Sequence, residues 1–431
     1  MKVPKSPDTP QGGFRASLAL VRRNRDFRRV YVASLISLGG DWFLTVALFS
    51  LVLRFTGSAI AVALVIGVQD LAFFVGSPLA GVLVDRLDRR RLMIGTDVVR
   101  AVLCVGFLFV RGSGTVWVAY VLLAGIALFS AVFEPASAAA LPNLVEPEDL
   151  GTANALSGST WGTMLAVGAG LGGLVSGIFG TNTAIVVDAV SFFASAMLVV
   201  GVHRSFAEPG SETREHAGIL EASRETVTYA RRDHRVLALI AVKFGWGLAG
   251  GVLVLIPLLA KGPFHGGDIA VGMLMAFRGI GALIGPFVGR SALGPEDRRL
   301  FQAIGVALPV FGLGYALVGL VPTLLLAMPA IALAHVGGGA QWTLSSYGLQ
   351  RIVPDHIRGR IFAFDGMLVT LTFGTSSVLT GFLAESIGPR ETAWLLGGIA
   401  VLWAAVWSWL TTDVRRATLA NGCGVAPTGP N

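Results

Sequence analysis

Charged residues are scarce in this chain of 431 residues. They make up 14% of it, against about 25% in an average soluble domain, so an ordinary soluble enzyme is excluded. Cysteine is nearly absent. Cys104 lies in an apolar run and Cys423 in a polar tail, which excludes a disulfide scaffold and a thiolate metal site. No catalytic triad, nucleophile motif or metal-ligand pattern occurs, so we expect neither an enzyme, nor a metal, nor a cofactor.

Apolar residues make up 54% of the chain, and the mean hydropathy of the chain is +0.71. Twelve apolar runs approach or exceed the ~20 residues that span a bilayer. Because hydrocarbon offers backbone amides no partner, each run must be a helix. The sequence therefore predicts an all-α membrane protein with twelve transmembrane helices at about 30–53, 60–83, 92–110, 115–141, 154–179, 183–202, 236–260, 269–289, 300–320, 323–348, 361–384 and 393–411.

The net charge of +7 comes from short basic clusters at the ends of the apolar runs. This distribution predicts contact with membrane lipid and no nucleic-acid partner. With a cytoplasmic amino terminus, 26 of the 33 Lys and Arg residues lie in inner segments and four in outer loops. The positive-inside rule then predicts a multi-pass protein with both termini cytoplasmic. Arginine outnumbers lysine 29 to 4, which favours a bacterial source and hence the bacterial plasma membrane.

A polar segment at 203–235 divides the helices six and six. We expect a basic cytoplasmic tail at 1–29, bundles at 30–202 and 236–412 and a disordered tail at 413–431. Residues 217–235 fit an amphipathic surface helix or a solvated linker equally well. The halves also resemble each other: Ile60-Ala61-Val62 matches Ile269-Ala270-Val271. Such an internal repeat favours a transporter over a receptor or an anchor.

The segment after the second run reads Gly81-Val-Leu-Val-Asp85-Arg86-Leu-Asp88-Arg89-Arg90-Arg91. It resembles the loop signature of the major facilitator superfamily, Gly-x-x-x-Asp-Arg-x-Gly-Arg-Arg, with Asp88 in place of the second glycine. Gly40-Asp41, Glu134-Pro135 and Arg358-Gly359-Arg360 resemble the branch of the enterobactin exporters and macrolide-efflux proteins. The resemblance implies the major facilitator fold, two six-helix bundles that expose a midplane site alternately to each side.

The same resemblance assigns Asp85 to holding the inner side closed. Its expected partners are Arg358 and Arg360, and Gly81, Arg86, Arg89 and Arg90 are further expected members of this conformational gate. Topology and anionic lipid alone also explain the basic run.

The fifth helix carries Gly168-Ala169-Gly170-Leu-Gly172-Gly173, in which Ala169 replaces the proline of the family's antiporter signature. We expect Gly168, Gly170, Gly172 and Gly173 to serve helix packing. The fourth helix lacks the buried arginine of many proton-driven members. A kink in the fifth helix and the usual proton relay are both left open.

Three acidic residues within apolar runs are candidates for proton coupling, since each charge there costs at least ~2.5 kcal/mol at the helix centre. Asp41 and Asp70 fall near mid-bilayer, and either could exchange a proton or serve as a buried structural hydrogen-bonding group. Glu134 precedes Pro135, so its ionisation could be linked to helix movement. The alternative for Glu134 is an ion pair with Arg100 in the third helix.

The second half carries two buried cations, Arg278 and Lys243. Each is a candidate to bind substrate or to form an ion pair. Gln341 stands near the counterpart of Glu134, while Trp246, Trp342 and His335 could line the site of a large amphiphile or could simply pack.

These features predict a monomeric secondary transporter that exports an amphiphilic small molecule, a drug, antibiotic or siderophore, in exchange for protons. A nutrient importer of the same fold and a non-transporting receptor or scaffold are the alternatives. Substrate, direction and coupling ion are not defined by the sequence.

Overall fold

The computed structural model describes residues 14–204, 206 and 227–421, and the regular secondary structure of these residues is helical. Twelve segments are long and apolar enough to cross a membrane, which confirms the predicted architecture. We number them span 1 to span 12: Arg25–Thr56, Ala59–Ala80, Arg89–Phe109, Ser113–Leu144, Thr152–Phe179, Thr181–Val200, His234–Lys261, Gly267–Ser291, Leu300–Leu320, Leu324–Ile352, Arg360–Ile387 and Pro389–Leu410. The helices of spans 2, 5 and 11 extend over Ala59–Arg86, Leu150–Phe179 and Asp355–Ile387.

Capping residues fix the helix ends. Span 1 starts five residues before the predicted boundary because the Asn24 side chain accepts a hydrogen bond from the Phe27 backbone amide. It ends at Gly57, whose left-handed φ of 64° suits glycine. The side chains of Ser58 and Asp88 cap the helices of spans 2 and 3 in the same way.

Span 7 is broken into helices His234–Leu248 and Val252–Lys261. The Ser376 hydroxyl of span 11 donates to the Leu248 carbonyl oxygen and accepts from the Gly251 amide at the break. Span 11 therefore hydrogen-bonds to backbone groups freed where span 7 is interrupted.

Spans 1–6 and spans 7–12 pack as two bundles. Since each bundle has an even number of spans, the described chain ends and the described residues of the inter-bundle linker lie on one side, which we call the linker side. The opposite side, with the loops at 57–58, 180 and 262–266, is the far side.

The bundles meet along two seams whose closest described contacts lie toward the far side. In the seam of spans 5 and 8, Gly173 packs backbone to backbone against Gly272, and Gly177 faces Ile269. In the seam of spans 2 and 11, Gly381 packs on Ile60 and Ala63. A side chain at Gly173 or Gly381 would collide with the facing helix, so glycine permits the close approach.

Toward the linker side the bundles separate. Phe74, Leu371 and Phe287 continue the seam faces of spans 2, 11 and 8, and their exposed fractions are 38%, 59% and 71%. The structure is thus closed on the far side and open on the linker side.

One prediction about the chain ends needs correction. The tail from 413 is not disordered over its first part, because Thr412–Asn421 is helical. Thr418 is buried there, and the Gln302 side chain donates to the Arg415 carbonyl oxygen at 3.0 Å. The predicted basic tail contains a helix, Phe14–Arg23, whose Leu20 is 1% exposed and packs with Phe27.

Of the linker, residues 203, 204, 206 and 227–235 are described, and 227–232 are helical. The two alternatives for 217–235 fall mainly on residues outside the described part of the chain. Residues 422–431 lie outside it as well.

Candidate functional site

Two adjoining cavities lie inside the amino-terminal bundle and share Leu38, Asp41, Glu134 and Trp161. The outer lobe, about 280 Å³, reaches the linker-side ends of spans 1, 4 and 5. Its walls carry hydroxyl and amide groups, from Ser34, Ser37, Ser137, Asn154, Ser157 and Thr160. The inner lobe, about 130 Å³, has Leu44, Leu48, Phe73, Leu123, Ile126 and Ala127 in its walls, together with the polar side chains of Thr45, Gln69 and Ser130. We call the four shared residues the waist.

Arg100 of span 3 lies behind the waist and is 1% exposed. Its guanidinium pairs with Asp97, one turn earlier on the same helix, and its Nη1 is 3.6 Å from Asp41 Oδ2. It also donates to the Ser37 and Ser130 hydroxyls at 2.8 and 3.1 Å. The guanidinium therefore joins the waist carboxylate of Asp41 to a carboxylate outside the cavity.

Glu134 of span 4 is exposed to both lobes. The ion pair with Arg100, one of the two predictions for this residue, is not formed at or below 4 Å, since the ion pairs of Arg100 within the described residues are to Asp97 and Asp41. The structure brings Glu134 and Asp41 to one cavity, as the hypothesis of proton coupling requires.

Asp188 of span 6 lies behind Asp41 and is 1% exposed. It accepts from the Cys104 thiol at 3.3 Å and from the Ser191 hydroxyl at 3.2 Å. A side chain at Gly40 would collide with Asp188, so glycine beside Asp41 lets span 1 approach span 6.

Arg278 lies at the bundle interface and is 2% exposed. Its guanidinium carbon is 5.2 Å from the Trp42 ring centroid and 5.7 Å from that of Trp161. Its Nε and Nη1 have no hydrogen-bond partner. This candidate substrate ligand is thus a cation–π bridge from span 8 to spans 1 and 5, and it is not among the lining residues of either lobe.

Lys243 is paired with Asp365 of span 11, and both residues are buried. Its Nζ donates to the Ser346 hydroxyl at 3.0 Å and lies 4.8 Å from the Trp342 ring centroid. Asp365 was missed at the sequence level, although an acid five residues inside an apolar run was the available signal. Of the two roles predicted for Lys243, the ion pair is the one observed.

The other carboxy-terminal candidates pack against each other. Trp246 stacks on Phe373 with a centroid distance of 5.4 Å and meets Trp342 edge-on. The His335 Nε2 and the Tyr315 hydroxyl are hydrogen-bonded at 2.8 Å. Gln341 is fully buried and neither side-chain polar atom has a partner. Trp246, Trp342, His335, Gln341 and Lys243 do not line the two lobes.

Asp70 lies away from the waist, where the seam of spans 2 and 11 ends. It faces Gly374, and its Oδ2 is buried without a hydrogen-bond partner. Asp70 does not line either lobe and lies at the interface of the two bundles, so its role stays a prediction.

The gate residues lie on the linker side. Gly81 and Asp85 fall outside the residues whose side-chain surroundings are described, so their roles stay predictions. Arg86 is exposed. Three other arginines bond to backbone carbonyl oxygens within their own bundle: Arg89 to Ala139 and Phe206, Arg90 to Val199 and Val200, and Arg358 to Val353. Arg360 is half-buried at the start of span 11.

The four glycines of span 5 face other helices. Gly168 and Gly172 contact the span 1 backbone at Gly39 and Phe43, whereas Gly170 and Gly173 face Ala276 and Gly272 of span 8. The helix runs unbroken from Leu150 to Phe179, which suits the alanine at 169.

Two hydrogen-bonded clusters close the far ends of the seams, and the sequence reasoning missed both. Glu385 of span 11 accepts from the Ser58 hydroxyl and from the Ile60 amide at 3.1 Å. Asp268 of span 8 accepts from the Ser176 hydroxyl at 3.0 Å and pairs with Lys261 at 2.6 Å. We call these clusters the far-side latches.

A family profile described as transmembrane secretion effector matches residues 16–421 of the chain. The chain belongs to this family of major facilitator transporters. It is a multi-pass membrane transporter and not an enzyme, as predicted.

Two relatives are efflux proteins. Macrolide efflux protein A of Streptococcus pyogenes is 23% identical over 405 residues, which cover 91% of this chain and 97% of that protein. Multidrug efflux pump Tap of Mycolicibacterium fortuitum is 27% identical over 380 residues, which cover 84% of this chain and 90% of that protein.

Solved structures share the fold. A bacterial homologue of the human lysosomal transporter Spinster, inward-facing and unoccupied, has a TM-score of 0.69 at 14% identity, with 97% of this chain and 100% of that chain covered. A POT family transporter in complex with 5-aminolevulinic acid has a TM-score of 0.74 at 10% identity, covering 94% and 98%.

Proposed function

We propose that this transporter exports an amphiphilic small molecule in exchange for protons, by exposing the two-lobed cavity alternately to each side. The observation that carries the proposal is the position of Asp41. Its carboxylate lies at the waist shared by both lobes and 3.6 Å from the buried Arg100 guanidinium. A proton taken up there changes the charge at the cavity and at the helix packing behind it.

The coupling step uses Arg100. When Asp41 is ionised, Arg100 attracts it and also holds Asp97 and the Ser37 hydroxyl. When Asp41 is protonated, its electrostatic attraction to Arg100 is lost, while Asp97 and the Ser37 hydroxyl keep the guanidinium in place. A difference of a few kcal/mol between the two states is enough to shift a conformational equilibrium.

The direction and location form part of the proposal. The 26-to-4 basic bias supports cytoplasmic termini in a bacterial plasma membrane, and the linker side would then face the cytoplasm. An outer lobe open to the linker side would load cargo from the cell interior, and the relatives named as efflux proteins support the outward direction. We propose that the monomer is the working unit.

The test is transport in proteoliposomes with an imposed pH gradient, screening siderophores and macrolide-like compounds. We expect the wild type to concentrate a substrate only when the gradient is present. Asp41→Asn should abolish this uphill transport but keep downhill exchange. The matched control is Asp233→Asn, at the cap of span 7 outside the membrane, where asparagine also caps a helix.

Uphill transport by Asp41→Asn at the wild-type rate would remove Asp41 from the coupling step. Wild-type accumulation in the opposite direction would identify an importer, and the absence of any transport across the screen would favour a receptor or scaffold.

A further inference from the structure

The waist of the cavity offers a ligand a carboxylate that no protein group occupies. We propose that the two lobes select a cationic amphiphile, with the positive charge of the cargo held by Glu134 and its apolar body against the apolar walls of both lobes. This inference rests on the proposed export function and specifies the chemistry of its substrate.

Glu134 carries the first step. Its side chain is exposed to both lobes, and within the described part of the chain no hydrogen bond or ion pair reaches it. A carboxylate in a membrane-embedded cavity without a partner is costly. A bound cation would reduce that cost, whereas a bound anion would increase it.

Arg100 does not offset this preference, although it also borders the outer lobe. Its terminal nitrogens already donate to Ser37, Ser130 and Asp97. The two faces of its guanidinium lie against aromatic rings, 4.8 Å from the Phe133 centroid and 4.5 Å from that of Phe192. Because the Arg100 side chain is only 1% exposed, an anion in the cavity cannot reach one of its donors.

The charged residues behind the cavity walls also favour a bound cation. Asp97 and Asp188 lie behind the waist on the Arg100 side, and Arg278 lies behind the indole rings of Trp42 and Trp161. With Asp41, Glu134 and Arg100, the set comprises four carboxylates and two guanidiniums.

Both lobes offer apolar surface to such a ligand, the outer lobe through Phe27, Val30 and Leu141. Leu44, Leu48 and Phe73 contribute aliphatic and aromatic surface, and Trp42 has an indole Nε1 without a hydrogen-bond partner. Trp161, at the waist and 45% exposed, adds an aromatic ring beside Glu134, and aromatic faces attract cations. The proton and the cargo would thus be carried by different carboxylates, Asp41 and Glu134.

The test is equilibrium binding to the purified full-length protein with two ions of matched size and shape and opposite charge, tetraphenylphosphonium and tetraphenylborate. We expect saturable binding of tetraphenylphosphonium to the wild type and no saturable binding of tetraphenylborate. Glu134→Gln should weaken tetraphenylphosphonium binding at least tenfold, and Glu134→Asp should retain part of the affinity. Glu391→Gln, at an exposed glutamate in the first turn of span 12, is the control expected to bind as the wild type.

Thermal unfolding of each variant distinguishes loss of the site from loss of the fold. The inference is overturned if the wild type fails to bind tetraphenylphosphonium, if tetraphenylborate binds as well or better, or if folded Glu134→Gln binds like the wild type. Because the measurement needs no gradient, those results leave proton-driven export intact, whereas a protein that binds the cation yet moves nothing uphill contradicts the transport proposal alone.

Discussion

The ionisable residues of the spans include buried ion pairs and charged side chains without a partner. Lys243 and Asp365 pair with each other, with Ser346 as a further acceptor for the ammonium group. Glu134, by contrast, faces open space. A neutralising substitution should therefore act on stability at the first site and on transport at the second.

Lys243→Met should lower the free energy of unfolding by about 3–5 kcal/mol, because it leaves the Asp365 carboxylate buried without its cation. Combining it with Asp365→Leu should restore most of the loss, since two apolar groups need no partner. Thermal unfolding in detergent measures both effects. A single variant as stable as the wild type, or a double variant that is less stable than the single one, would contradict this assignment.

The sequence predicted which residues are unusual better than it predicted their contacts. Asp41 and Glu134 stand out as acids within apolar runs, and both line the cavity. Arg278 stands out equally but faces Trp42 and Trp161. The direction of a side chain around its helix axis depends on the packing of neighbouring helices, which hydropathy does not specify. Tryptophans 42 and 161 carried no signal because aromatic residues are common in apolar runs.

At the scale of helices, the two far-side latches are related by the internal repeat. The offset of 209 that pairs Ile60 with Ile269 also pairs Ser176 with Glu385, and Ala59, next to Ser58, with Asp268. Each latch joins a serine of the amino-terminal bundle to a carboxylate of the other, at the far end of its seam. Both contacts must break when the far side opens.

The double variant Glu385→Gln, Asp268→Asn should shift the protein toward the state open on the far side. The neutral amides form weaker hydrogen bonds to the serines, and Lys261 loses its ion pair. Spin labels at Asn182 and Ser386, both exposed on the far side, would report a larger population at long distance. Glu391→Gln supplies the matched control, and an unchanged distance distribution in the double variant would argue against the latches.

Hydropathy predicted the spans because each must cover the same thickness of hydrocarbon. It did not predict the break in span 7, which depends on Ser376 of another span. Nor did it predict Thr412–Asn421 as a helix, since that segment is polar and is held by contacts to span 9. Features that depend on a tertiary partner were missed, whereas features set by the bilayer were found.

For the whole molecule, the basic bias predicts that the linker side faces the cytoplasm. Two variants with one introduced cysteine each test this in a Cys423→Ser background, where the remaining Cys104 is buried. Ser113→Cys on the far side should react with a membrane-impermeant maleimide in intact cells. Ser291→Cys on the linker side should react only after permeabilisation, and the reverse pattern would invert the topology.

The backbone contact of Gly173 with Gly272 has a consequence for the energetics of the host cell. Where the two helices pack without intervening side chains, no room is left between them for a chain of water molecules that could conduct protons. A molecule in this state would limit proton leakage along that seam. Many inactive copies could then be present in the membrane without dissipating the proton-motive force that drives them.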